Sequence, residues 1–568
     1  MELLRQRRLV RLFFVLGLCF LGLVGHLWLL QGKEGNRYAR LALEQVTRWV
    51  ALEDTPRGKI LDRNLLPIQG ERVEERVVVF PSAIGDREEV ARSLSEILAL
   101  KFSEGRRILE GDACFLPYPL RPEQADAVRE KGWTGVLVLP VHFRYGERPL
   151  ASQTIGHLGK ISSTDELLAL ERQGKKTYHY NDQVGKTGLE KYFEQELKGT
   201  VPQRAVRVFS DATGRLLGGP FFQVEEQAPD RERHDLVLTL DSRIQGAVEE
   251  IMDRRVAKGA VVVMEAGTGD LLALASRPAY DPAHPEQYLG AGMKESFFNR
   301  CTALYQPGSI FKLVLASAAL EEGIVFSDSP FSCQGENESL IRCWKAEGHG
   351  EISFSRAFAE SCNPAFARIG MKLGASKLIE YAGRFGLGNQ TIIGYPAAID
   401  ARQDLQLIAS PNSLVNSSVG QGPVLVTPVQ AASMVNTIVS DGLYREPRLV
   451  KEIRKSDSGL VVSEFSQGQA VRAISATTAG KLRALLELAV DEGTGIEAAE
   501  PVFGSAGKTG SAQSANGKVN AWFTGYAPRS NPRYIVTVLI EEGISGSESA
   551  APVFREIVEQ IHSFNDNI

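Results

Sequence analysis

The sequence predicts an α+β chain with three parts: a single N-terminal transmembrane helix, a mixed α/β module, and a larger domain whose mostly antiparallel sheet is flanked by helices. Three observations predict it. Residues 12–30 form an apolar run near the N-terminus. Strand-like runs gather at both ends of the region after residue 230, and the middle of that region reads as helix. Strands on either side of a helical middle favour one antiparallel sheet covered by helices.

In the apolar run His26 is the one strongly polar residue. Nineteen residues make roughly 28 Å of helix, close to the hydrocarbon thickness of a bilayer. Arg5, Arg7, Arg8 and Arg11 precede the run and favour a cytoplasmic N-terminus. The run exceeds the h-region of a signal peptide and no A-x-A cleavage site follows, so it reads as an uncleaved anchor; the alternative is a buried core helix. Residues 1–11 are then a cytoplasmic tail, and the chain from about residue 31 lies outside the cytoplasm. Lys33, Arg37 and Arg40 dilute this charge asymmetry.

At 568 residues, 43% hydrophobic and 23% charged, the chain has material for about three structural units. A net charge of −5 gives no basis for a nucleic-acid partner. The six cysteines form no CxxC or Cys/His spacing typical of zinc, and no HExxH occurs, so neither metal nor cofactor is expected. Disulfides persist outside the cytoplasm. Cys333 and Cys343 bracket a short polar loop and are the pair placed to bond; the alternative is two unpaired thiols.

After the anchor, 34–50 reads as a polar, helix-prone stalk and 55–64 as a turn-rich stretch entering short strands such as 77–80. A helix is expected at 189–197. The charged loop 225–234 marks a boundary, giving a stalk-and-module region 31–230 and a second domain 231–568. In the second, 236–240 reads as strand and 244–256 as amphipathic helix. Runs 260–264 and 271–275 flank Gly267-Thr268-Gly269-Asp270, a hairpin signal. Strands follow at 521–526 and 534–540, then a helix at 553–561.

Chemistry enters at Pro307-Gly308-Ser309-Ile310-Phe311-Lys312, where a turn runs into an apolar helix over 310–320. Positions i and i+3 share a helix face, so the amine of Lys312 can lie beside the hydroxyl of Ser309. A serine hydroxyl needs such a base to become a nucleophile. Alone the spacing is weak, since about two S-x-x-K matches arise by chance in a chain of this length, and Ser505 to Lys508 is a second. The bland reading is a capping serine followed by a surface lysine.

Two further elements give it context. S-x-N occurs at Ser361, Ser410, Ser514 and Ser563. Ser361-Cys362-Asn363-Pro364 follows a helix-like stretch, 354–360, and places two short polar side chains at an interhelical corner, a suitable cleft wall. Ser410 reads as a plain turn, Ser514 as a hairpin connection, and Ser563 as terminal. K-T-G occurs at Lys186 and Lys508. Lys508-Thr509-Gly510-Ser511 precedes the last hairpin among small residues, so a substrate backbone can approach that strand. Lys186 opens a charged helix. Neither is a nucleotide-binding loop, because the required upstream glycine is replaced by Tyr180 and Val502.

With these elements in order, the chain resembles a class B penicillin-binding protein, a peptidoglycan D,D-transpeptidase; S-x-x-K, S-x-N and K-T-G form the signature of penicillin-binding proteins and class A β-lactamases. The resemblance also runs through Arg57 to Asn64, Gly188-Leu189-Glu190, Asn299-Arg300, Gly348-His349-Gly350, Gly420-Gln421-Gly422, Thr427-Pro428 and Gly493-Thr494. Cys343-Trp344 with Gly348-His349-Gly350 is similar to the elongation-type subgroup called penicillin-binding protein 2. Ile310 stands where many relatives carry threonine or alanine.

The resemblance implies a pedestal or dimerisation-like domain before a serine β-lactamase-like catalytic domain, without a glycosyltransferase segment. It implies Ser309 as nucleophile, Lys312 as base and Ser361 as relay. Asn363, Lys508, Thr509 and Gly510 would bind substrate, with the backbone N–H groups of Ser309 and Ser511 as oxyanion hole. Stem peptides ending in D-Ala-D-Ala, an amine acceptor and inhibitory β-lactams follow as ligands. A polytopic glycosyltransferase of the shape, elongation, division and sporulation family is the implied partner, at the cytoplasmic membrane with the catalytic domain outside. The competing readings are a membrane-anchored serine β-lactamase or β-lactam sensor, and a non-enzymatic cell-wall scaffold with a vestigial site.

Overall fold

A computed structural model describes residues 2–29, 47–174, 176–202, 204–209, 223–226, 230, 232–290, 292–396, 402–513 and 517–564. Helix α1, Glu2–Leu29, contains the apolar run, and its stretch Arg11–Trp28 is long and apolar enough to cross a membrane, with none of it buried in the chain. Of the expected stalk, 34–46 lie outside the described residues, and Thr47–Ala51 is a strand. In the expected boundary loop, 227–229 and 231 also lie outside them.

The chain forms two compact units, and the division is interleaved rather than made once near residue 230. Residues 1–56, 73–143 and 201–229 make one; 57–72, 144–200 and 230–568 make the other. In the first, strand Arg72–Val79 lies between Cys114–Phe115 and Val136–Phe143. Val77, Val79, Leu94, Leu109 and Leu116 make its core with helices Arg87–Leu98 and Phe102–Glu110. A second sheet pairs Thr47–Ala51 with Arg204–Phe209, which pairs with Gln223–Glu226.

The second unit is built on β1 (Gly259–Glu265), β2 (Leu271–Arg277), β3 (Ala506–Gln513), β4 (Val519–Ala527) and β5 (Tyr534–Gly543). Their order is β2-β1-β5-β4-β3 and every pairing is antiparallel. The expected hairpin and the two late strands are thus present, and the last strand sits at the centre. Alternate residues point to opposite faces of a strand, and here both faces are covered. Val261 and Val263 join α2 (Ser242–Arg255) and α8 (Ala551–Ser563) in one core. Ala260, Val262 and Met264 join the other core with α3 (Lys312–Glu321), α6 (Pro428–Val439) and α7 (Ala476–Asp491). Double coverage explains why β1 reads as an unbroken apolar run instead of an alternating one.

Helix α3 is apolar on every side and buried from Lys312 to Leu320, as a helix inside a core must be. The expected strand at 236–240 exists as His234–Leu238 but belongs to a different sheet. It runs parallel to Ile60–Leu61 and antiparallel to Val450–Lys455. This pairing brings the Arg57-Gly58 stretch into the second unit. There Arg57 Nε meets Glu190 Oε2 at 2.7 Å and its Nη2 meets Glu194 Oε2 at 2.7 Å, all fully or almost fully buried. Arg144 Nε adds 2.6 Å to Glu190 Oε1.

Removing one partner of a buried ion pair strands the other charge in the interior, typically at 3–5 kcal/mol. Arg57→Ala is therefore expected to lose about 3–5 kcal/mol of stability, read as a lowered thermal midpoint. A midpoint equal to that of the parent chain contradicts this role.

Candidate active site

Ser309 sits on the 3₁₀ turn Gly308–Phe311 that feeds α3, and Lys312 is the first residue of that helix. The turn is pressed against β3 and against Gly420. Gly308 has φ +54°, and a Cβ there would lie 2.7 Å from Ser511 O and 3.1 Å from Ser511 N. Gly308 N also donates to Gly420 O at 2.9 Å. Ser309 and Ser511 therefore lie close together, and both line one cleft.

Ser361 closes helix α4 (Phe354–Ala359). Its φ is +57°, and Cys362 N donates to Ala357 O at 2.8 Å, a left-handed helix ending normally given to glycine. The left-handed conformation costs a non-glycine residue about 1–2 kcal/mol. It turns the chain sharply into α5 (Asn363–Leu373), started by Pro364. Lys312 Nζ fills this corner, donating to Ser361 O at 2.7 Å, Asn363 Oδ1 at 2.8 Å and Ser361 Oγ at 3.2 Å. Ser309 is not among its hydrogen-bond partners among the described residues. Phe366 lies 5.1 Å from the amine.

Burial lowers Lys312 to about 7, against the opposing pull of Cys362 and then Cys343. Lys508 is equally buried and lies well below its ordinary value, first through burial and then through repulsion by Lys312, with Glu360 opposing. The apolar wall is Phe366 for one amine and Phe358 for the other.

The cleft has a volume of about 520 Å³ and is lined by Ser309, Ser361, Asn363, Thr509, Gly510 and Ser511. Ser309, Ser361, Asn363, Thr509, Gly510 and Ser511 line it as expected, and Lys312 and Lys508 lie buried behind its wall. Lys508 lies beneath Thr509, its Nζ donating to Thr509 O at 3.4 Å. Sequence reasoning missed Trp344, Glu360, Thr494 and Glu548, which complete the wall. Thr494 Oγ1 lies 2.5 Å from Thr509 Oγ1, and Thr494 N donates to Ala359 O at 3.1 Å. The Gly493-Thr494 pair was the available signal. The competing motifs stand elsewhere. Lys186 pairs with Glu166 at 2.5 Å, Ser410 caps Pro411–Ser418, and 514–516 lie outside the described residues.

One expectation about the cysteines is corrected. The Cys333–Cys343 disulfide is not formed, because all six cysteines are free thiols. And although no metal was expected, the donor atoms of Cys333, Cys343, His349 and Cys362 all lie within 4.8 Å of one another. The loop that folds them together starts after strand Pro330–Cys333 and returns in Gly350–Ser353. It turns back on glycines at φ +69° and +82°; a Cβ on Gly348 would lie 2.3 Å from Cys333 O. His349 Nδ1 is 3.5 Å from Cys343 Sγ, and its Nε2 is buried without a hydrogen-bond partner. Three thiols and an imidazole are a donor set of tetrahedral zinc sites. With three thiols and an imidazole nitrogen gathered this closely, the residues fit a zinc ion.

A serine on a helix turn, with a buried lysine and a second polar pair beside an antiparallel edge strand, defines a serine acyl-transferase of the penicillin-recognising fold. Comparisons with known proteins agree. Residues 259–559 match the penicillin binding protein transpeptidase domain, and 52–220 match the penicillin-binding protein dimerisation domain. Stage V sporulation protein D of Bacillus subtilis is 29% identical over 96% of this chain and 84% of its own length. The peptidoglycan D,D-transpeptidase MrdA of Salmonella typhimurium is 26% identical over 99% of this chain and 96% of its own. The crystal structure of the D,D-transpeptidase domain of a peptidoglycan glycosyltransferase from Eggerthella lenta superposes with TM-score 0.54 at 26% identity, covering 64% of this chain and 96% of that one. The chain belongs to the penicillin-binding protein transpeptidase family. It is a class B member, a peptidoglycan D,D-transpeptidase that β-lactams acylate.

Gly308→Ala tests the close approach of turn and strand. The methyl meets backbone at 2.7 Å in a left-handed conformation, so the turn must move away from β3. Labelling by a fluorescent penicillin is expected to slow by about tenfold or more, as for a misplacement near 1 Å. An unchanged labelling rate contradicts the assignment.

Proposed function

We propose that Ser309 attacks the carbonyl of the penultimate D-alanine of a donor stem peptide. Lys312 accepts the serine proton, and the Ser361 hydroxyl passes it to the departing D-alanine amine. An amine of a neighbouring stem then attacks the ester, forming the cross-link and restoring Ser309. The backbone N–H groups of Ser309 and Ser511 stabilise the oxyanion, typically a few kcal/mol per donor. Asn363 orients the substrate amide, and Thr509, Gly510 and Lys508 receive the terminal carboxylate.

The observation that carries this reading is the burial of Lys312. An ordinary lysine near 10.4 is about 0.04% neutral at pH 7. Here burial brings Lys312 to about 7, so a substantial fraction is free amine. Lys508 shares the same interior, and two buried ammonium groups disfavour each other. A substrate carboxylate arriving over Thr509 favours protonation of Lys508, and that charge in turn holds Lys312 as the base. Binding and activation are thereby coupled.

The apolar stretch 12–30 anchors the protein as a single membrane pass, with residues 1–11 cytoplasmic and the catalytic unit outside. In sequence, 31–230 then carry the pedestal region, of which 57–72 and 144–200 fold with the catalytic unit, and 231–568 carry the transpeptidase domain. The partner we infer is a polytopic glycosyltransferase of the shape, elongation, division and sporulation family, and the role is that of the elongation-type subgroup. Support comes from α1 and from the likeness to MrdA. Cys333, Cys343, His349 and Cys362 would hold a zinc ion, which supplies a structural cross-link between the loop bearing Trp344 and the Ser361–Asn363 corner.

Ser309→Ala is expected to abolish labelling by a fluorescent penicillin and cross-linking of stem peptides; a labelled mutant sinks the assignment. A retained but slowly hydrolysed penicillin adduct separates a transpeptidase from a β-lactamase, which turns it over, and from an inert scaffold, which never forms it.

The base must be unprotonated, and below its pKa it is not. Acylation is expected to fall about tenfold per pH unit below about 7 and level off above, following the lowered Lys312. A rate independent of pH between 5.5 and 8 removes Lys312 as the base.

A further inference from the structure

Cys362 is the residue between Ser361 and Asn363, the two that receive all three hydrogen bonds of Lys312. Its thiol is buried and in hydrogen-bond contact with that of Cys343. The next residue, Trp344, is 58% exposed on the cleft wall. Its Nε1 donates to Glu360 O at 3.0 Å, and its ring meets that of His349 edge-on at 5.7 Å. The four-residue cluster therefore grips the relay corner through Cys362 and the cleft wall through Cys343 and His349.

Three of the four donors are thiols, and a thiol, unlike a carboxylate or a second imidazole, can leave a metal by being oxidised. The cluster belongs to the unit proposed above to lie outside the cytoplasm, where disulfides are stable. We infer that the Cys333–Cys343–His349–Cys362 cluster is an oxidant-released latch on the transpeptidase site, closed by zinc and opened by a peroxide. This rests on the zinc reading given above.

The step balances with hydrogen peroxide as oxidant. One thiolate takes an oxygen from the peroxide, the O–O bond breaks, and with one proton a sulfenic acid and a water result. The second thiolate displaces hydroxide from that sulfur; with a second proton this leaves as water, and an S–S bond remains. Cys343 and Cys362, already in contact, lose one electron each, and the peroxide takes up two. The metal keeps only Cys333 and His349 and departs. An S–S bond is about 2.05 Å long, against donor separations of up to 4.8 Å in the cluster. Its closure draws Cys362 out of register, displacing Ser361 and Asn363 from the amine of Lys312.

The test uses the full chain in detergent, purified under reductant, with zinc measured by a colorimetric chelator before and after hydrogen peroxide. Peroxide is expected to release about one zinc per chain and to form a Cys343–Cys362 disulfide visible by peptide mass spectrometry. Penicillin labelling should fall between about tenfold and a hundredfold, the cost of a displacement near 1 Å. Dithiothreitol with zinc should restore it. The Cys343→Asp variant keeps a metal-binding oxygen in place of the nearest oxidisable sulfur, and its ratio of treated to untreated labelling should stay near one. Full labelling after zinc has left overturns the latch, as does zinc retained under peroxide. A purified chain that neither carries nor takes up zinc overturns the zinc reading itself, and the latch with it.

Discussion

The site depends on an unfavourable burial: two lysine amines enclosed in one apolar interior. Lys312 and Lys508 are both fully buried, and among the described residues neither forms an ion pair with a carboxylate; Glu360 acts on Lys508 only at longer range. Placing an ammonium in such surroundings is costly, and the protein reduces that cost by letting one amine give up its proton. The fold thus lowers the proton affinity of Lys312 by burial, because a lysine on the face of an all-apolar helix has nowhere to keep its charge.

What the fold adds is registry. Helix α3 is gripped on every side, so the Ser309 turn cannot drift from Lys312. The turn touches β3 at Gly308, where any side chain would meet backbone, and the same contact brings Ser309 and Ser511 close together. Opposite, Ser361 holds a left-handed conformation that glycine would adopt with less strain. Glycine there could not supply the hydroxyl, so the strain is kept at the residue to which the proposed mechanism assigns the proton relay.

Much of this was legible because it is local. An i,i+3 pair on a helix, a serine and asparagine at a helix corner, and a small-residue strand before a hairpin are each written within a few residues. The N-terminal apolar helix and the late hairpin were legible for the same reason. What was not legible depends on distant pairing. The strand His234–Leu238 has the right composition but joins Ile60–Leu61, and nothing within it indicates that partner. The cysteines show the same limit from the other side. Cys333 and Cys343 looked like a bonded pair because they are close in sequence. Two left-handed glycines instead fold the loop so that His349 and Cys362 join them. The crowding of three cysteines and a histidine into 333–362 was the only signal, and its spacing matches no familiar zinc pattern.

The central claim is that Lys312 carries a free amine near neutral pH before any substrate arrives. It is tested most directly by NMR titration of the chain labelled with ε-¹³C lysine, with the Lys312 resonance identified by its absence from Lys312→Met. The account predicts a lysine titrating at about 7 in the unacylated protein. A Lys312 midpoint near the ordinary value of about 10.4 would contradict it.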